Sequence, residues 1–186
     1  TSILKIGILS TLIFTQCTPS QNQSKESEEE KTEASKTIGS IEVLDASFNS
    51  IIDKNAPIEI LAEGFTWSEG PVWVPSLNSL LFSDVPENTI YKWNEADGKS
   101  VYLKPSGFTG IEPASSTSGA NGLTLDANGN LVMCQHGDRR IATILKDDLS
   151  KDQPLFNTII NRFDDKRFNS PNDLAIASNG DIYFTD

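Results

Sequence analysis

Three side chains with oxygen to offer recur at nearly even spacing: Glu69, Asn121 and Asn172 lie 52 and then 51 positions apart (69 to 121, 121 to 172). Gathered together, one carboxylate and two amide oxygens suit a hard cation, and Ca²⁺ accepts such donors in a loose, high-coordination shell. Only one of the three is charged, so firm binding calls for further acidic ligands. The same pattern serves equally well to cap strand ends and bond to water, and spacing alone does not separate the two. The sole histidine, His136, follows an apolar run from Leu131 to Cys134. Its ordinary pKa near neutrality suits proton transfer. At that place it can equally bind substrate or order the turn at Gly137. Arg139 and Arg140 are adjacent, so on a strand they point to opposite faces and at most one reaches a shared site. Arg139 is assigned that part, steering an anion, and Arg140 an ion pair.

Each of the three polar residues heads a similar stretch. Glu69-Gly70-Pro71-Val72-Trp73-Val74 leads through a polar turn at 75–78 into Ser79–Asp84. Asn121–Asp126 leads through Ala127-Asn128-Gly129 into Asn130–Cys134, and Asn172–Ile176 leads through 177–180 into Asp181–Phe184. Asn-Gly at such turns supplies the positive φ that hairpins require. A repeat of roughly 50 residues built from short strands is the period of four-stranded propeller blades. In a propeller the innermost strand of each blade starts beside the central channel, so residues in one phase converge on the axis. Ahead of the repeats, 45–52 reads as a short helix or turn leading into a strand at Ile58–Leu61. Cys134 reads as a small buried residue, and Trp67 and Trp73 as packing around the Glu69 motif.

The whole chain has 186 residues and a net charge of −11. That length supports one domain with a real core, and the acidity argues against nucleic acid or anionic lipid as partners. Two cysteines, Cys17 and Cys134, do not make a disulfide framework. Lys5 precedes an apolar run from Ile6 to Phe14, and Cys17 follows directly. The run is too short to span a bilayer, but it matches a secretory signal core. A cysteine just behind it resembles a bacterial lipoprotein signal with lipidation at Cys17; a conventional signal peptide or uncleaved anchor is the alternative. The expected organisation is a signal segment at 1–17, a disordered acidic Ser/Glu-rich linker at 18–40, and a folded domain at 41–186. Localisation is then extracytoplasmic, periplasmic or on the cell envelope, with membrane contact only through that terminus. The opening on Thr1 and the close within an apolar strand at Ile182–Asp186 predict a fragment of about three blades.

Four ordered motifs add a family resemblance. They are the segments 64–73, Ala120-Asn121-Gly122-Leu123, Cys134-Gln135-His136-Gly137-Asp138-Arg139-Arg140, and Arg167-Phe168-Asn169-Ser170-Pro171-Asn172-Asp173-Leu174. Together they resemble the SMP-30/gluconolactonase family, over most of the chain from Phe48 onward. The resemblance implies an all-β, six-bladed β-propeller with one catalytic divalent cation in the channel, Ca²⁺ before Zn²⁺ or Mn²⁺. It implies Glu69 and Asn172 as metal ligands, with Asn121, Asp173 and Arg139 binding a small-molecule lactone. A more distant similarity to paraoxonases implies His136 as catalytic base. The activity implied is metal-dependent hydrolysis of a sugar lactone. The alternatives are a membrane-tethered, non-enzymatic binding propeller and a paraoxonase-like esterase.

Overall fold

The computed structural model describes residues 36–110 and 119–186. The expected signal segment, with Cys17 and most of the acidic linker, lies outside the described residues. The architecture is all-β and antiparallel. The first sheet runs β1 (Ser68–Val74), β2 (Ser79–Asp84), β3 (Thr89–Asn94) and β4 (Gly98–Leu103), paired in that order. A second sheet repeats the meander with β5 (Ala120–Leu125), β6 (Leu131–Gln135), β7 (Arg140–Ile144) and β8 (Asn157–Ile160). A small ribbon of β9 (Arg162–Phe163) and β10 (Lys166–Arg167) follows. The hairpin of β11 (Leu174–Ile176) and β12 (Ile182–Phe184) then begins a third blade. Gly129 and Gly180, at φ +81° and +91°, supply the left-handed conformation of the inner hairpin turns.

Period-two alternation explains how the blades stack. On β6, Leu131 and Met133 join the core shared with Val74, Leu81, Ile90 and Leu103 of the first blade. Val132 and Cys134 point the other way, to a cluster that includes Ile141 and receives Leu174, Ile176, Ile182 and Phe184 of the third. Every residue of β6 is therefore buried, including Gln135. The far face of the first blade is different. Phe82 stacks on Tyr91, Phe65 meets both edge-on, and a cavity of about 440 Å³ opens beside Ile60, Leu80 and Trp93.

The segment ahead of the blades holds the short helix expected at 45–52, and departs from expectation at Ile58–Leu61 and at 36–38. Ala46–Ser50 forms a 3₁₀ helix whose cap is Asp45; its carboxylate accepts from Ser47 N–H at 2.8 Å. Ile58–Leu61, read as a strand, pairs only through a single bridge between Thr37 and Glu59. Ile38 N–H donates to the Ile58 carbonyl and Ile60 N–H to the Lys36 carbonyl. Residues 36–38, placed by composition in the linker, thus find backbone partners twenty or more positions away. Composition registers the lack of apolar groups to bury but not the edge of another segment.

Candidate functional site

The inner strands share one irregularity that positions the site. In β1, Glu69 pairs with Ser83 and Val72 with Leu81, so Gly70 and Pro71 together oppose Phe82. In β5, Ala120 pairs with Gln135 and Leu123 with Met133, so Asn121 and Gly122 oppose Cys134. Ahead of β11, Asn172 N–H donates to the Thr185 carbonyl at 2.9 Å and Thr185 N–H donates to the Asp173 carbonyl at 3.0 Å. Asn172 and Asp173 thus face Thr185 in the same two-against-one manner. Bulges of this kind bend a strand and re-aim its side chains, often beside active sites. They also revise the sequence register. Asn121 and Asn172 are each the first residue of a bulge, whereas Glu69 stands one residue before its own; the extra position between 69 and 121 is that offset.

The three heads lie side by side. A Cβ added to Gly70 would stand 2.4 Å from the Asn121 carbonyl oxygen. One added to Gly122 would stand 2.5 Å from Asp173 Oδ1 and 3.0 Å from the Asn172 carbonyl oxygen. Gly122 N–H donates to that carbonyl at 2.8 Å, and the Ser83 hydroxyl donates to the Asn121 carbonyl at 2.8 Å. Asn121 is buried, Glu69 half-buried, and Asn172 and Asp173 exposed. Trp67 Nε1 donates to Glu69 Oε1 at 3.0 Å, which fixes one carboxylate oxygen. Trp67 and Trp73 are each 48% exposed, so neither is the packed core residue its type suggests.

The family resemblance implies a divalent cation at these heads, and the donors present bear on it directly. Glu69, Asn121 and Asn172 offer only hard oxygens. Among the described residues, no group of three or more His, Cys, Asp or Glu gathers that could hold a metal. The set therefore fits Ca²⁺ better than Zn²⁺, which prefers thiolate and imidazole.

Beyond β6 the chain turns through His136, Gly137, Asp138 and Arg139. Gln135, paired with Ala120, stands one residue before His136 and where the first blade has Asp84, paired with Ser68; Asp84 accepts from Thr66 and Trp67 N–H at 3.0 and 3.2 Å. Asp186 does the same for the third blade, accepting from Asn169 and Ser170 N–H at 2.8 and 2.7 Å. Burial holds the His136 pKa below its usual value; Arg139 adds to this and Asp186 opposes it. Arg140 is bound to Asp138 at 3.0 Å, which leaves Arg139 as the arginine acting on His136. Cys134 is fully buried as expected; burial first, then Asp173 and Asp186, push its thiol up to about 12. Asp138 and Gln135 were not singled out from sequence, yet both are buried beside the histidine turn. Their partners lie up to 29 positions away, in loops that carry no periodic signal.

Known proteins place this geometry in context. The family model for the SMP-30/Gluconolactonase/LRE-like region matches residues 67–186. A gluconolactonase from Zymomonas mobilis is 39% identical over 152 residues, covering 81% of this chain and 41% of its own length. A gluconolactonase structure from Xanthomonas campestris covers 83% of this chain and 48% of its own, at 29% identity and TM-score 0.64. A structural-genomics target with a provisional gluconolactonase label covers 67% and 37%, at 34% identity and TM-score 0.54. This chain thus spans about two fifths of the length of the curated relative it matches.

Proposed function

This chain belongs to the SMP-30/gluconolactonase/LRE-like family, and on that premise we propose that the complete protein hydrolyses a sugar lactone to its sugar acid. The observation that carries the reading is the file of bulged strand heads, which sets Glu69, Asn121 and Asn172 on adjacent inner strands. Glu69 and Asn172 would hold a divalent cation, with Ca²⁺ the best match to their oxygens. Bound there, it would supply Lewis-acid polarisation of the lactone carbonyl, a catalytic contribution of several kcal/mol in metal hydrolases generally.

The chain's own residues do the rest. Trp67 keeps the Glu69 carboxylate from rotating. Asn121 and Asp173, on neighbouring bulges, offer amide and carboxylate groups to sugar hydroxyls. His136 is held in its neutral form at pH 7 because burial disfavours the imidazolium. It takes the proton of the attacking water as the water oxygen bonds to the carbonyl carbon. The ring C–O bond then breaks, and the ring oxygen leaves as a hydroxyl with a proton returned by His136. Arg139 meets the carboxylate that forms.

Acid release from glucono-δ-lactone at constant pH tests this in the complete protein. Release above the spontaneous rate, abolished by chelator and restored by Ca²⁺, is the expected result. Release no faster than the spontaneous rate would refute the lactonase, and full activity in chelator would refute the cation's part in it.

A further inference from the structure

The turn that carries His136 and Arg139 is fastened more heavily than an ordinary surface turn. Asp138 is 5% exposed, and its carboxylate, N–H and carbonyl are all engaged. Oδ1 accepts from Thr109 N–H at 3.1 Å, and Oδ2 accepts from the Thr109 hydroxyl at 2.6 Å and Arg140 Nη2 at 3.0 Å. Its N–H donates to the Gly107 carbonyl at 2.8 Å, and its own carbonyl accepts from Arg167 Nη2 at 2.9 Å. Arg140 Nε donates in turn to Gln135 Oε1, and Gln135 Nε2 donates to the Ser106 carbonyl at 2.8 Å. Three parts of the fold meet here: the segment 106–109 after the first blade, the β6–β7 turn of the second, and Arg167 ahead of the third. Inside this frame Arg139 is held at φ +56°, a left-handed conformation that a side chain bearing a Cβ disfavours. A buried, charge-assisted network that keeps one residue in an unfavourable backbone state is arranged for position.

We propose that Asp138 is a positioning residue, which holds His136 and Arg139 in place beside the inner strand heads. Its effect on rate rests on the lactonase reading; its effect on the imidazole does not. Arg139 from its own turn and Asp186 beyond β12 both act on His136 by charge, and residues 106–109 carry no charged side chain. Loosening the turn would let water reach the ring and separate it from Arg139, and both changes favour the protonated form.

Proton NMR of the complete protein at fixed Ca²⁺, with the His136 signal identified by its loss in His136→Gln, reads the titration of this imidazole. Asp138→Asn keeps the size of the side chain but removes the charge facing Arg140. The expected result is a His136 titration moved up toward its ordinary value, with kcat/KM for glucono-δ-lactone lowered on the order of tenfold or more. Thr109→Val, which deletes only the hydroxyl, moves both in the same direction by less, and Thr109→Ser restores them. Tyr102→Phe is the control for general destabilisation, because it removes a hydroxyl that donates to the Leu149 carbonyl at 2.8 Å, outside this network. It should lower Tm and leave the titration in place. If Asp138→Asn does not fold, the Thr109 pair decides. A lowered Tm with an unmoved titration in the Asp138 and Thr109 variants overturns the proposal. Absence of lactone turnover in the wild type would refute the activity and leave the titration to decide the positioning role.

Discussion

At the scale of single residues, the account turns on which groups are charged and which are kept from being so. His136 accepts a proton only as neutral imidazole, and burial followed by Arg139 holds its pKa below 6.5. The acid limb of kcat/KM should therefore fall below pH 6.5 and follow the lowered pKa. A limb at or above 6.5, or no limb at all, would remove His136 as base. The sign for stability is the same. In the unfolded chain His136 protonates first as pH falls, so its contribution is full above pH 6.5 and is lost below it. Asp138 and Arg140 form a largely buried ion pair at 3.0 Å. Breaking one side of such a pair is far more disruptive than never having built it.

At the scale of elements, two glycines govern how closely the inner strands approach. Gly122 leaves room for Asp173 and for the Asn172 carbonyl. Gly122→Ala should destabilise by about 1–3 kcal/mol through overpacking, read as a lower denaturant midpoint at unchanged m-value. A neutral result would mean that the first two residues of the third bulge are not seated against β5. Much of this scale was legible beforehand. The hairpins at β1–β2, β5–β6 and β11–β12 follow from alternating apolar residues and Asn/Gly turns, as the structure has them. The bulges were not legible, because an extra residue leaves only a one-position difference in spacing, with no mark of the side on which it falls. The bridge between Thr37 and Glu59 was hidden for a related reason: an edge pairing is decided by a partner far along the chain. The Asp138 network escaped because its members come from loops, where hydrogen bonding follows geometry and not periodicity.

At the scale of the whole molecule, the blades pack by handing alternate residues of one strand to successive neighbours, as β6 does with Met133 and Cys134. That stacking is what turns a sequence period into a line of adjacent strand heads. On the far face of the first blade, Phe82 and Trp93 line an open apolar cavity that Glu69 also borders and that no residue of β5 or beyond reaches. The central claim is that oxygens from separate blades share one cation for lactone opening. Calorimetric titration of the complete protein with Ca²⁺, wild type against Glu69→Gln, tests it most directly. We expect the variant to bind at least about tenfold more weakly, a loss of roughly 1.4 kcal/mol or more. Equal affinity in the two proteins would contradict the claim.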